Sequence, residues 1–206
     1  MREILPGLFH WTARHPKIQI EVSSYWWRDG RVLLDPLLPP GGVGAFHGAD
    51  PEHVILTNRH HWRHSSELVA ALGCTVWCNE AGLHEFTHGE PVRGFRAGAK
   101  LPGGIESHPV GVLCPDETAL RLPVAGGALA VADGVVRDHG GPLGFVPDPL
   151  LGDDPAAVKK GLREVYGELC SRLEFDALLL AHGLPMIRGG RAALAHFARG
   201  QVMSRA

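Results

Sequence analysis

The sequence predicts a layered mixed α/β domain. Three observations carry this. Short β-rich runs alternate with Gly, Pro and Asp turns in the first third. The clearest helical periodicity lies late, at 154–173. The elements follow the order strands, helix, strands, helix, strand, helix.

Taken in order, IQIEVSSYWW (18–27) is β-rich, Arg28-Asp29-Gly30 is a turn, and RVLLDP (31–36) is a second strand. Asp-Gly between two such runs is a hairpin signal. Residues 37–48 form a Pro/Gly-rich loop, and HVILT (53–57) reads as a fully buried strand. SSELVAALG (65–73) predicts a helix capped by Ser65 or Ser66 and ended by Gly73. TVWCN (75–79) is a strand, and three more fall between 105 and 134, before a Gly/Pro/Asp loop at 138–154. In the next helix Asp154 is the N-cap candidate and Pro155 the first helical position. Val158, Leu162, Val165 and Leu169 recur at helical spacing. FDALLLAHG (175–183) reads as a buried strand with a polar tip, and 190–202 as a closing helix. Nothing in the chain marks a repeat or a linker, so residues 1–206 are expected to form a single domain.

Composition removes several function classes. The 206 residues can bury a core without disulfide staples. With 20 Lys+Arg against 22 Asp+Glu, no basic excess exists to neutralise phosphates, so no nucleic-acid partner is expected. No run approaches the roughly 20 apolar residues of a membrane helix, and MREILPGLF lacks the pattern of a secretory signal. Cys74 and Cys78 form a C-x3-C pair, while Cys114 and Cys170 stand alone, which gives no disulfide framework. The expectation is a cytoplasmic protein with reduced thiols and no membrane partner. Against this plain background the 13 His stand out.

The densest candidate site is Asn58-Arg59-His60-His61-Trp62-Arg63-His64, directly after a buried strand and before a helix. Open α/β sheets place ligand sites there. His61 and His64 are three apart and His60 and His64 four apart, so either pair could converge on a metal. A solvated surface loop is the plain alternative, and two Arg oppose a cation unless carboxylates compensate. Asp133 ends the apolar run ALAVA, and His182 ends LLLA; each is followed by Gly. Singly they read as a turn cap and a structural His. Together the three segments share one geometry, a polar group at the end of an apolar strand. His84 and His88 lie four apart but read as surface or lid residues. Of Trp26 and Trp27, adjacent on a strand, at most one can face a cleft. Trp62, inside the His/Arg loop, is the better substrate contact, with His60 beside it.

These segments, in this order, resemble the metallo-β-lactamase fold superfamily. Leu33-Leu34-Asp35-Pro36 matches its early strand with an Asp-Pro turn. Val54–Thr57 followed by 59–66 matches its strand and His-x-His-x-Asp-His motif. Ala132-Asp133 matches the strand ending in a metal-bridging Asp, and His182-Gly183 the terminal His. The resemblance covers nearly the whole chain and implies a four-layer αββα sandwich. Residue by residue, His61 and His64 match the second and third motif His, Asp133 the bridging Asp and His182 the terminal His. Arg59 stands where the first His belongs and Arg63 where the motif Asp belongs. A second register, counted directly from Thr57, puts Asn58, His60, Trp62 and Arg63 at the motif positions. For the central His of the family, Cys114 and His108 are the candidates.

The resemblance implies three alternatives. One is a single remodelled metal site, zinc for preference, held by His61, His64, Asp133 and His182 in a hydrolase acting on an ester-, thioester- or amide-type bond of a small molecule. There Asp133 serves as ligand or base, and Arg59 and Arg63 stabilise negative charge. The second is a metal-free binding or regulatory protein in which Arg59 and Arg63 pair with Asp133, Asp116 or Glu117. The third places an anionic substrate on the two Arg beside one metal.

Overall fold

The computed structural model describes residues 1–46 and 48–200. Among these, seven strands lie side by side in chain order. They are β1 (Arg2–Leu5), β2 (Leu8–Arg14), β3 (Glu21–Trp27), β4 (Val32–Leu34), β5 (His53–Ile55), β6 (Thr75–Asn79) and β7 (Val92–Phe95). A second sheet is built from β8 (Lys100–Leu101), β9 (Ile105–Pro109), β10 (Thr118–Leu122) and β11 (Ala128–Val131). After a small hairpin of β12 (Val136–Arg137) and β13 (Leu143–Gly144), β14 (Ala177–Leu180) completes it in the order β14-β11-β10-β9-β8. The helices are α1 (Ser65–Leu72), α2 (Pro155–Arg172) and α3 (Gly190–Ala198).

The period-two alternation of strands sorts the apolar side chains into three cores and so makes four layers. Tyr25, Trp27, Leu34 and Ile55 of the first sheet meet Leu120, Leu122, Ala128 and Leu179 of the second in a core between the sheets. Their neighbours Trp26, Leu33 and Val54 point the other way and pack with Leu68 of α1. Leu129, Leu178 and Leu180 point outward under Leu162, Tyr166 and Leu169 of α2 and Leu194 and Phe197 of α3. The expected αββα sandwich is the architecture observed. Trp26 lies in the core under α1, and Trp27 in the core between the sheets, donating from Nε1 to Gly103 O at 3.2 Å.

Most element boundaries agree with the reading from sequence. Asp154 caps α2 by accepting from Ala157 N at 2.9 Å, and Gly73 closes α1 in the left-handed conformation, φ 68. Three details differ. The strand expected from residue 18 begins at Glu21, because a turn closed by Gln19 N→His15 O (2.9 Å) occupies 15–20, with Ile18 and Ile20 exposed. The cap position of α1 is His64, which makes no side-chain cap bond, while Ser65 is buried. The third helix ends at Ala198; of the expected 190–202, residues 201 and 202 lie outside the described residues. No helix among the described residues is long and apolar enough to cross a membrane.

Two parallel strand pairs aim the site. β4 runs parallel to β5 with Leu34 opposite Ile55, and β11 runs parallel to β14 with Val131 opposite Leu180. Asp35 and Thr57 therefore emerge together from the first sheet, and Asp133 and His182 from the second. The sheets are stitched at this edge by hydrogen bonds from β3. Tyr25 Oη donates to Leu180 O (2.8 Å) and accepts from Leu180 N (3.0 Å), while Ser23 N donates to Ala181 O (2.9 Å). Removing one partner of a buried backbone pair leaves the other unsatisfied, at about 1–3 kcal/mol. Tyr25→Phe is therefore expected to cost about 2 kcal/mol in urea unfolding with an unchanged denaturant slope; a stability equal to the parent contradicts this stitching.

Candidate metal centre

The loop after β5 bends because its own polar groups fold it. Asn58, in extended conformation, accepts from His60 N at 3.0 Å and caps a short 3-10 turn, Arg59–Trp62. That turn carries His61 back over the strand end. Arg63 follows at φ 44, a positive-φ conformation that costs a residue with a Cβ about 1–3 kcal/mol.

His61 is buried between two carboxylates. Its Nδ1 lies 3.0 Å from Asp35 Oδ2 and 3.0 Å from Thr57 Oγ1, and its Nε2 lies 3.2 Å from Asp133 Oδ1. Thr57 donates its hydroxyl to Asp35 at 2.6 Å, so it accepts from His61 and Nδ1 carries a proton. His182 Nε2 reaches the same Asp133 Oδ1 at 2.9 Å, and Asn58 Nδ2 donates to Asp133 Oδ2 at 2.8 Å. One donor atom each from His61, Asp133 and His182 falls within 4.8 Å of the others. In a tetrahedral zinc site with bonds of about 2.0–2.1 Å, neighbouring ligands lie about 3.3 Å apart. The spacings of 3.2 and 2.9 Å to Asp133 Oδ1 thus fit a metal. The hydrogen bonds from His61 to Asp35 and Thr57 are the kind of outer-shell support that orients a ligating His.

The glycines after Asp133 and His182 have a steric cause. A Cβ on Gly134 would meet Tyr166 Oη at 2.6 Å, and one on Gly183, φ 107, would fall 2.0 Å from Arg137 O. Ser23 Oγ holds Gly183 O at 2.8 Å and is itself bonded by His10 Nε2 at 2.9 Å. Burial, with Arg2 nearby, pushes His10 down to about 4, so its ring is neutral and donates from Nε2.

Burial and charge compete throughout the centre. Burial opposes a charged His61, but Asp35 and Asp133 outweigh it and raise His61 to about 9. Burial likewise opposes the Asp133 and Asp35 charges, yet His61 leads the groups that hold both carboxyls below their usual range. Burial lowers Arg63, against the pull of Asp35 and Asp133. The Arg63 Nη1 donates to Ser23 O (2.8 Å) and to Asp35 O, while its buried Nη2 has no partner. Glu117, buried, accepts from Gly134 N at 2.8 Å. Burial and the Asp133 charge raise it to about 8.

The residues expected at the site divide. His61, Asp133 and His182 come together, and His60 and Arg63 line the cavity in front of them. His64 does not join them. Its Nδ1 accepts from Leu38 N at 2.9 Å, which turns the ring toward the 36–38 loop. Arg59 is held by Asp116 and by Glu85 (2.5 Å) and is not among the described residues that line the cavity. Trp62 packs on Phe86 at 5.5 Å and donates to Ser66 Oγ at 3.0 Å rather than facing a substrate. Neither candidate for the central His joins the cluster. Cys114 is a thiol pushed up to about 11, chiefly by burial, and His108 sits on β9 beside Glu106 (4.0 Å). The motif fits neither register as a whole: Asn58 comes from one and His61 from the other. Of the residues not foreseen as site members, Thr57 and Asp35 carried the same signal as Asp133, a polar group ending an apolar strand. His15 and Lys17, which also line the cavity, carried none.

Chelator-treated protein should show the proton linkage of this cluster. His61 and Glu117 bind protons more tightly folded than unfolded. Their stabilisation is complete below the ordinary values of 6.5 and 4.5 and is lost as pH rises through about 9 and about 8. The melting temperature is expected to fall from pH 6.5 to 9, and His61→Gln to flatten the part above pH 8. A curve that rises over this range contradicts the charge assignment.

No family model and no curated protein sequence matches the chain. Solved structures do match. TTHA1623, crystallised in a di-iron-bound form, aligns over 91% of this chain and 99% of its own at TM-score 0.66 and 22% identity. The Rm3 metallo-β-lactamase aligns over 94% and 88% at TM-score 0.64 and 16% identity. A flavo di-iron protein from Thermotoga maritima aligns over 93% of this chain and 57% of its own at TM-score 0.59 and 16% identity. The layers, the strand-end site and these structural matches agree: the chain has the metallo-β-lactamase fold.

Proposed function

We propose that this protein is a metal-dependent hydrolase that binds one divalent cation, zinc for preference, through His61, Asp133 and His182. Its substrate would contain an ester-, thioester- or amide-type bond. The observation that supports this most is the convergence of one donor atom each from His61, Asp133 and His182 within 4.8 Å, with His61 held on its other side by Asp35 and Thr57. A cation bound there would supply Lewis acidity toward a carbonyl oxygen and acidify a coordinated water. Two nitrogens and one oxygen suit zinc, and imidazole also suits iron. The chain's own residues do the rest. Asn58 keeps Asp133 Oδ2 engaged and leaves Oδ1 for the centre. Arg63, held by Ser23 O and Asp35 O, is a fixed positive charge beside the reacting bond, where preorganised charge stabilises developing negative charge.

A second reading is favoured by one observation. Asp35 and Asp133 are balanced by His61 and Arg63 without any metal, so the site could serve a metal-free binding protein.

The readings separate in one experiment. Protein purified without chelator is expected to hold about one equivalent of metal, as a single three-ligand site requires. Asp133→Asn and His182→Ala are expected to lose it, and His64→Ala to keep it. Hydrolysis of ester and thioester substrates should stop on chelation and return with zinc. Metal binding must displace the proton on His61 Nε2, so affinity for added zinc should rise with pH up to about 9. Failure to bind added zinc, iron or manganese would leave the metal-free reading.

A further inference from the structure

The cavity in front of the proposed metal ligands has a volume of about 250 Å³. Among its described lining residues Asp133 is the one acid, and both its oxygens are engaged, Oδ1 by His61 and His182 and Oδ2 by Asn58. The cationic side is not spent in the same way. Arg63 uses Nη1 on two backbone carbonyls but leaves Nη2 buried without an acceptor. A buried guanidinium N–H with no partner is costly, and an oxyanion is the ligand that best satisfies it.

A second element, the loop joining β2 to β3, adds the positive charge of Lys17 to the lining. This loop is folded rather than loose: Gln19 N donates to His15 O at 2.9 Å and His15 N to Ile20 O at 2.8 Å. His15 Nδ1 accepts from Lys17 N (3.2 Å) and Ile18 N (3.4 Å), which fixes that nitrogen as an acceptor and leaves Nε2 free to donate. His15, exposed Lys17 and exposed Ile18 all line the cavity, and Val22 adds apolar wall.

We infer that this cavity selects a small substrate bearing an oxyanion, a carboxylate or a phosphate group, and that Arg63, Lys17 and His15 hold that group while Ile18 and Val22 cover a short apolar portion. The inference rests on the cavity being the substrate site of the proposed hydrolase. Lys17 and His15 are specificity residues on this reading, and Arg63 both binds the anion and fixes its position relative to the metal ligands.

Calorimetric titration with inorganic phosphate and with acetate, at constant ionic strength, tests this on the full chain, as purified and after chelation. Saturable binding of either anion is expected in both forms. Binding of phosphate alone assigns a phosphate ester or anhydride class, and binding of acetate alone a carboxylate class. Lys17→Ala changes an exposed loop position, and Arg63→Met keeps an unbranched apolar stem at a half-buried position while removing the guanidinium. Each is expected to weaken binding about tenfold, the scale of one charge-assisted hydrogen bond. No saturable binding of either anion, or wild-type affinity in both variants, overturns the inference. Metal binding without anion binding removes this inference alone, whereas anion binding without metal binding removes the hydrolase reading and leaves an anion-binding cavity.

Discussion

The site depends on one buried arrangement, a His61 ring held between Asp35 on one side and Asp133 on the other. Asp35 belongs to the first sheet and Asp133 to the second, so the ring bridges the two layers. Burying any one of these charges alone would cost several kcal/mol, whereas together they compensate. Thr57 N and Asn58 Nδ2 complete the arrangement by donating to the remaining carboxylate oxygens, Asp35 Oδ1 and Asp133 Oδ2. The same geometry gathers His61 Nε2 and His182 Nε2 around Asp133 Oδ1, at 3.2 and 2.9 Å.

Strand register positions Asp133 and His182, and the Asn58-capped turn positions His61. The parallel pairs β4/β5 and β11/β14 deliver their polar tips to one edge, and β3 locks the sheets there through Tyr25 and Ser23. The glycines after Asp133 and His182 let the backbone pass under Tyr166 and beside Arg137. Arg63, at positive φ, donates to Ser23 O and Asp35 O and adds a positive charge beside the carboxylates. Arg59, by contrast, is consumed by Asp116 and Glu85. The two arginines of the motif thus have different fates, one in the cavity and one in the scaffold.

The layered fold was legible in the sequence because alternation and strand-end polarity are local signals. Leu33 and Leu34, or Val54 and Ile55, face opposite cores as period two requires. Asp133 and His182 were legible for the same reason. The direction of each side chain in the His-rich loop was not, because a 3-10 turn and a residue at positive φ break any fixed spacing. His64 and Trp62 kept plausible positions in sequence but were captured by neighbours, Leu38 N and Phe86, that no spacing rule reveals. His15 and Lys17 come to the cavity through the fold of the β2–β3 loop, a tertiary effect.

Titration with cobalt(II), followed by its visible absorption, reads ligand number and geometry together and tests directly whether His61, Asp133 and His182 hold one metal. Intense bands of four-coordinate type are expected to saturate at one equivalent, vanish in His182→Ala, and persist in His64→Ala. Absence of such bands, or bands that survive loss of His182, would contradict this ligand set.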